Sequence, residues 1–214
     1  MIIEGKIAIK AALQYGKREV KALHLPKKND KDLNYIKKLA KDIPIYEADS
    51  AKAEVGYRKS DVLDEDGPIF CLLGIQDPYN LAYCLRTLAA LGCQNVILDG
   101  YDFGESEAKI LRSSAGAYDL LNIYSGDYFN YLKRLKEAGY RILCLQRGDN
   151  SLSIKDYPFD DKAIIILGGE KRGIPTKILE LADTNLFIPY GSTFRNALNA
   201  AEALAIVAWE VYRD

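Results

Sequence analysis

The chain has 214 residues, 49% hydrophobic and 28% charged, with 29 basic side chains against 30 acidic ones and a net charge of -1. That balance is ordinary for a globular protein and argues against disorder, collagen-like repetition and a disulfide scaffold. No apolar run approaches the ~18 residues that a membrane-spanning helix needs, and the start, MIIEGKIAIKAAL, lacks a signal-peptide core and cleavage site. The expected location is the cytoplasm, with no membrane contact. The lone histidine, His24 in ALHLP, reads as a buried strand residue, so paired-histidine zinc sites and histidine triads or dyads are set aside. Cys71, Cys84, Cys93 and Cys144 have no CxxC spacing and read as buried, reduced thiols.

Charge is unevenly placed. Residues 1–41 hold 11 Lys/Arg and 4 Asp/Glu, whereas residues 42–66 hold 3 and 8. The basic excess can attract nucleic acid through its phosphates, or can simply solvate helix faces. In this stretch GKIAIKAALQYG predicts a helix with Ile7, Ala11 and Leu13 on its apolar face, and VKALHL a strand. LNYIKKLAKD predicts a second helix with Leu33, Ile36 and Leu39 together, and IPIYEA a second strand. Tyr57, Arg58 and Lys59 are open between an RNA contact and a solvated loop. The polar DEDGPIF at 64–70, broken by Gly67-Pro68, predicts a boundary between a domain at 1–66 and one at 67–214.

Beyond it, apolar strands at 70–75, 95–100, 140–145, 163–168 and 185–190 alternate with helices at 80–92, 105–116, 126–139, 176–182 and 197–213. Continuous apolar strands need a sheet covered on both faces, so this is an α/β fold with a parallel sheet and ligands at the carboxyl ends of its strands.

Three loops leave those ends with unusual composition. In IQDPYNLAYCLRTLAALG, Asn80 stands where a helix cap is expected, Leu81, Leu85, Leu88 and Leu91 form a buried stripe, and Arg86 either snorkels or points into a site. In AIIILGGEKRGIP, Gly168-Gly169 permit close backbone approach, yet GxxxxGK[ST] and GxGxxG are both absent, and a plain turn remains open. In LFIPYGSTFRNALNAAEALAIVAWE, alanines on successive turns permit close packing.

In that order, N-x-x-x-x-x-R, LGGEKRGI and IP…LN…A…WE resemble the three motifs of the SpoU (TrmH-like) RNA 2'-O-ribose methyltransferases of the SPOUT superfamily, and SSAGAY at 113–118 adds to the likeness. IIEGKIAIKAAL resembles the start of that family's small L30e-like RNA-binding domain. The resemblance implies a parallel-sheet SPOUT domain with a C-terminal trefoil knot, a homodimer, an RNA substrate (ribosomal or transfer) and S-adenosylmethionine as methyl donor, with no metal. It implies catalytic roles for Asn80, Arg86, Glu170 and Asn199. It implies donor contacts from Leu167, Gly168, Gly169, Glu170 and Gly173, and from Ile188, Pro189, Leu198 and Asn199. Arg86 would hold the phosphate beside the target ribose. Departures stand at Ala82, where the family usually has Gly, and at Ala197 and Ala201, where it has Ser; Ser192, Thr193 or Arg195 would compensate. The alternative is a non-catalytic dimeric RNA-binding protein that keeps the knotted fold.

Overall fold

A computed structural model describes residues 1–169, 171–191, 196 and 198–213. The first part runs β1 (Ile2–Glu4), α1 (Lys6–Tyr15), β2 (Val20–Leu25), α2 (Lys31–Ala40), β3 (Ile45–Glu47) and β4 (Lys52–Val55), with a four-stranded sheet in the order β1-β4-β2-β3. The sequence reading missed both β1, three residues long, and β4, whose Lys52-Ala53-Glu54-Val55 alternation carries only two apolar residues. The α1 face also differs from expectation. Ala8, Ile9, Ala11 and Ala12 are buried while Ile7 is 57% exposed, because α1 packs both on its own sheet and on a helix of the second part. His24 is not buried: it lies half-exposed on β2, 2.9 Å from Glu54 Oε1 and stacked on Tyr46.

The second part runs β5 (Ile69–Leu73), α3 (Pro78–Ala90), β6 (Asn95–Leu98), α4 (Glu107–Ser113), α5 (Ala117–Leu120), β7 (Asn122–Tyr124) and α6 (Tyr128–Glu137). It continues through β8 (Arg141–Leu145), β9 (Leu152–Ser153), β10 (Ala163–Gly168), α7 (Thr176–Leu179), β11 (Thr184–Phe187) and α8 (Ala200–Tyr212). Its seven strands are all parallel, in the order β7-β6-β5-β10-β8-β11-β9. Alternate residues of each central strand feed opposite faces. Phe70, Leu72, Ile165 and Leu167 join the core under α3 and α8, and Ile69, Cys71, Leu73, Ile164 and Ile166 join the core of the α6 and α7 face. All four cysteines are buried and free, and burial pushes the Cys84 and Cys144 thiols up to about 12, so neither is a nucleophile at neutral pH. Among the described residues no helix is long and apolar enough to cross a membrane.

The segment between the two parts is anchored. Arg58 donates to the carbonyls of Tyr118 (2.9 Å) and Leu121 (2.8 Å), and Asp61 takes the Ile123 amide at 2.8 Å while its own amide returns to Ile123 O at 2.9 Å. Residues 64–66 are held by Asn95 Nδ2, which donates to Asp64 O at 2.7 Å. Arg18 is fully buried, bidentate to buried Asp119 at 2.7 and 2.9 Å and 3.1 Å from Glu107. The apolar residues of the first part and those under α3 and α8 form one continuous cluster.

Candidate functional site

Two helix N-termini meet at the carboxyl edge of the large sheet. Asp77, not Asn80, caps α3, accepting the amides of Tyr79 and Asn80 at 3.0 and 2.8 Å, with Pro78 in the first turn. That leaves the Asn80 side chain for a contact between elements. Asn199 caps α8 through a capping box with Glu202, its Oδ1 taking the Ala201 amide at 2.8 Å. Asn199 Nδ2 donates to Asn80 Oδ1 at 3.2 Å across 119 positions of sequence, so the first and third motifs meet.

Beside this pair lies a cavity of about 740 Å³ at the carboxyl ends of β8, β10 and β11, with Leu145, Leu167, Gly168, Ile188 and Leu198 among its walls. Gly169, Gly173 and Asn199 line it too, while half-buried Pro189 does not, although its neighbours Ile188 and Tyr190 do. A second cavity, of about 290 Å³, is lined by Asn80, Asp77, Gly74 and the exposed Lys171 and Arg172, and shares Gly169 and Ala200 with the first. This is the switch point of the sheet, between β5, whose chain runs outward to β6, and β10.

The paired glycines answer to the backbone before any ligand. A Cβ on Gly169 would stand 2.0 Å from Gly74 O, and one on Gly168 would stand 2.3 Å from Gly173 C. Gly169 O accepts the Gly173 amide at 2.9 Å, closing the GGEKRG loop as a turn against the end of β5. Glu170 lies outside the described residues, as do Ser192, Thr193, Arg195 and Ala197.

Arg86 is not brought to Asn80. Six residues along a helix place the two about 120° apart around the axis, and Arg86 is exposed on the outward stripe of Tyr79 and Tyr83. Sequence reasoning missed Arg147, the one charged side chain lining the larger cavity among the described residues. Its guanidinium lies over the rings of Phe187 (5.2 Å) and Tyr190 (5.9 Å), and the Tyr190 hydroxyl accepts the Leu198 amide at 3.1 Å. The available signal was position alone: LQRGDN follows the carboxyl end of a parallel strand, like the three loops that drew attention.

Residues 67–209 match the family model described as SpoU rRNA Methylase family. The chain is 30% identical over 140 residues to the 23S rRNA (guanosine(2553)-2'-O)-methyltransferase RlmP of Bacillus subtilis (strain 168), a match over 64% of this chain and 54% of that protein. It therefore spans about half the length of that relative. It is 26% identical over 148 residues to the tRNA (guanosine(18)-2'-O)-methyltransferase of Escherichia coli (strain K12), covering 67% of this chain and 62% of that one. The solved structure of the SpoU methyltransferase AviRb from Streptomyces viridochromogenes, in complex with the cofactor AdoMet, superposes with a TM-score of 0.81. That match covers 99% of this chain and 89% of AviRb at 20% identity, a likeness of fold. With its three motifs gathered at one edge of a parallel sheet, the chain belongs to the SpoU rRNA Methylase family.

Proposed function

We propose that this protein transfers a methyl group from S-adenosylmethionine to a ribose 2'-hydroxyl of ribosomal or transfer RNA. The observation that carries the reading is the pair of cavities sharing Gly169 and Ala200, with the Asn80–Asn199 hydrogen bond beside them. The larger cavity suits the donor: about 740 Å³ is within the range of cofactor sites, its walls are apolar enough for an adenine, and Arg147 is placed to pair with the amino-acid carboxylate. Bound there, the donor supplies a methyl group on a sulfonium, already activated, so no metal is required.

The chain's own residues do the rest. Asn80 and Asn199 hold each other and orient the ribose. Lys171 and Arg172, on the acceptor side, hold RNA phosphate and steady developing negative charge. Glu170, between them and Gly169 in sequence, keeps the loop-positioning role that the family resemblance gives it. Arg86 acts in trans. Tyr79, Tyr83 and Arg86 on α3 and Ile206 and Trp209 on the adjoining α8 form an exposed face, with Trp209 60% exposed. Two copies joined through that face as a homodimer bury the aromatic rings and carry each Arg86 toward the partner's acceptor cavity.

The reading extends to the whole chain: residues 1–66 as an L30e-like RNA-binding domain, residues 67–214 as the methyltransferase domain, the cytoplasm as location, and a trefoil knot in the C-terminal part of the sheet. Supporting the knot, β10 lies between β5 and β8, and α8, which follows β11 in the chain, packs on α3. The free, buried thiols suit a reducing compartment. The deciding experiment is incubation with labelled S-adenosylmethionine and total RNA, then nuclease digestion and nucleoside mass analysis. A labelled 2'-O-methylnucleoside supports the reading. Donor and RNA binding without methylation would favour the non-catalytic alternative, which the alanine at 201, in the first turn of α8, makes worth naming.

A further inference from the structure

A third cavity, of about 380 Å³, opens where the segment after β4 meets the loop after β6; none of the three loop motifs falls on it, and of SSAGAY only Tyr118 lines it. Tyr57, Arg58 and Lys59 line one side, Tyr101, Asp102 and Phe103 the other. Resting on the RNA reading above, we propose that this cavity takes a nucleobase flanking the methylated nucleotide, stacked on its aromatic side chains.

Three observations support a base there. The rings stand ready and accessible: Tyr57 is 52% and Tyr101 46% exposed, Tyr101 and Phe103 meet edge to face at 4.8 Å, and the Tyr57 hydroxyl donates to Glu105 Oε1 at 3.3 Å. Presented aromatic faces are the common means of holding an unpaired RNA base. Charge then decides which part of a nucleotide enters. Of the charged groups in the lining, Asp102 is exposed, Glu107 is paired with Arg18, and the Arg58 guanidinium is committed to backbone carbonyls and Asp61. A phosphate would be repelled by Asp102 and find Arg58 already engaged, whereas a neutral base meets no such repulsion, and exposed Lys59 is placed to meet the phosphate at the mouth.

Position supplies the third support. The cavity sits at the carboxyl ends of β6 and β7, on the same rim as the other two. Asp99 Oδ2 accepts the Gly74 amide at 2.6 Å, tying the loop after β6 to the one that walls the acceptor cavity. A strand held by the basic first part and reaching Asn80 along this rim crosses the cavity on its way.

The test uses the full chain and an RNA substrate. Tyr101→Ala with Phe103→Ala is expected to raise KM for RNA about 10-fold, the scale of one lost base stack, while kcat and S-adenosylhomocysteine binding stay near their original values. Tyr101→Trp is expected to retain RNA affinity, which a merely structural ring would not predict. Ultraviolet cross-linking of bound RNA followed by peptide mass mapping is expected to place adducts on Tyr57, Tyr101 or Phe103. An unchanged KM in the folded double variant, or adducts only elsewhere, overturns the inference and leaves the methyltransferase reading standing. An unaltered protein that binds the donor but no RNA removes both.

Discussion

At the scale of single residues, the site rests on side chains whose structural duties must be separated from their chemical ones. Asn199 is both the α8 cap and the partner of Asn80, so Asn199→Ala removes two things: about 1 kcal/mol of capping and the amide that bonds Asn80, to which we assign the orienting of the ribose. Asn199→Ser keeps a capping oxygen, and Asn80→Ala leaves the Asp77 cap untouched. Both are expected to hold melting temperature within a few degrees while methyl transfer falls about 100-fold, the scale of one lost orienting donor; turnover and thermal melts on the same samples check this. Arg147 gives a test of donor orientation. If its guanidinium holds the carboxylate, Arg147→Ala weakens S-adenosylhomocysteine about 10-fold and leaves methylthioadenosine, which lacks that carboxylate, unchanged. Equal loss for both ligands in calorimetry would place Arg147 elsewhere. Gly169 carries a different expectation from the one its sequence invites. Since a Cβ there meets Gly74 O at 2.0 Å, Gly169→Ala disturbs the β5 and β10 loops themselves, and a loss of melting temperature accompanies any loss of donor binding.

At the scale of elements, what was legible depended on length and on how locally each signal is written. The five long apolar strands and their helices were readable because a buried parallel sheet demands continuous apolar runs, and the structure places all five. Strands β1, β7 and β9, of three, three and two residues, were not, because so short a strand shows a period only where its flank extends the pattern, as Ile43 does for three-residue β3. Leu81, Leu85 and Leu88 on α3 are buried as expected, whereas α1, packed against α2 and α5 as well as its own sheet, hides its alanines and exposes Ile7. The motifs named residues that the structure brings to one rim of the sheet, but not how they are arranged there. Asn80 looked like a cap because it precedes the apolar stripe, but Asp77 three residues earlier captures the amides first. The spacing itself, six residues on one helix, sets Asn80 and Arg86 about 120° apart around α3, a divergence that turns Arg86 from a neighbour of Asn80 into a candidate for the partner's site. That placement predicts a dimer through α3 and α8. Light scattering is expected to give twice the chain mass, and Trp209→Glu to give the chain mass with methylation lost and donor binding kept; a monomeric unaltered protein would remove the role in trans.

At the scale of the molecule, the boundary expected at 64–70 is a junction held by charge and not a free linker. Arg18 has no exposed side-chain surface, and neither has Asp119. Burial works against the Arg18 charge, but the hydrogen bonds and field of Asp119, with the field of Glu107, outweigh it and raise its pKa. Removing Arg18 strands a buried carboxylate, so Arg18→Ala is expected to cost about 3–5 kcal/mol, seen as a lower urea midpoint. By the same reasoning a chain beginning at residue 67 exposes Asp119, Glu107 and the part of the shared apolar cluster that the first part covers, and its failure to bind RNA would say nothing about where RNA binds. Charge reversals of Lys37 and Lys38 on the exposed face of α2 test the first part's RNA role without opening the junction. The junction also sets an acid limit. Burial pushes the Asp61 carboxyl up, but the Ile123 amide, Lys17 and Arg58 hold it below the usual carboxylate range. A depressed folded pKa stabilises above the unfolded value, near 4, and that stabilisation is lost as pH falls through the folded value. Stability is therefore expected to decline with acid below about pH 4, and Asp61→Asn to be less stable at neutral pH yet flatter across that window. Equal acid slopes for the two proteins in pH-dependent melts would show that other carboxylates govern the limit.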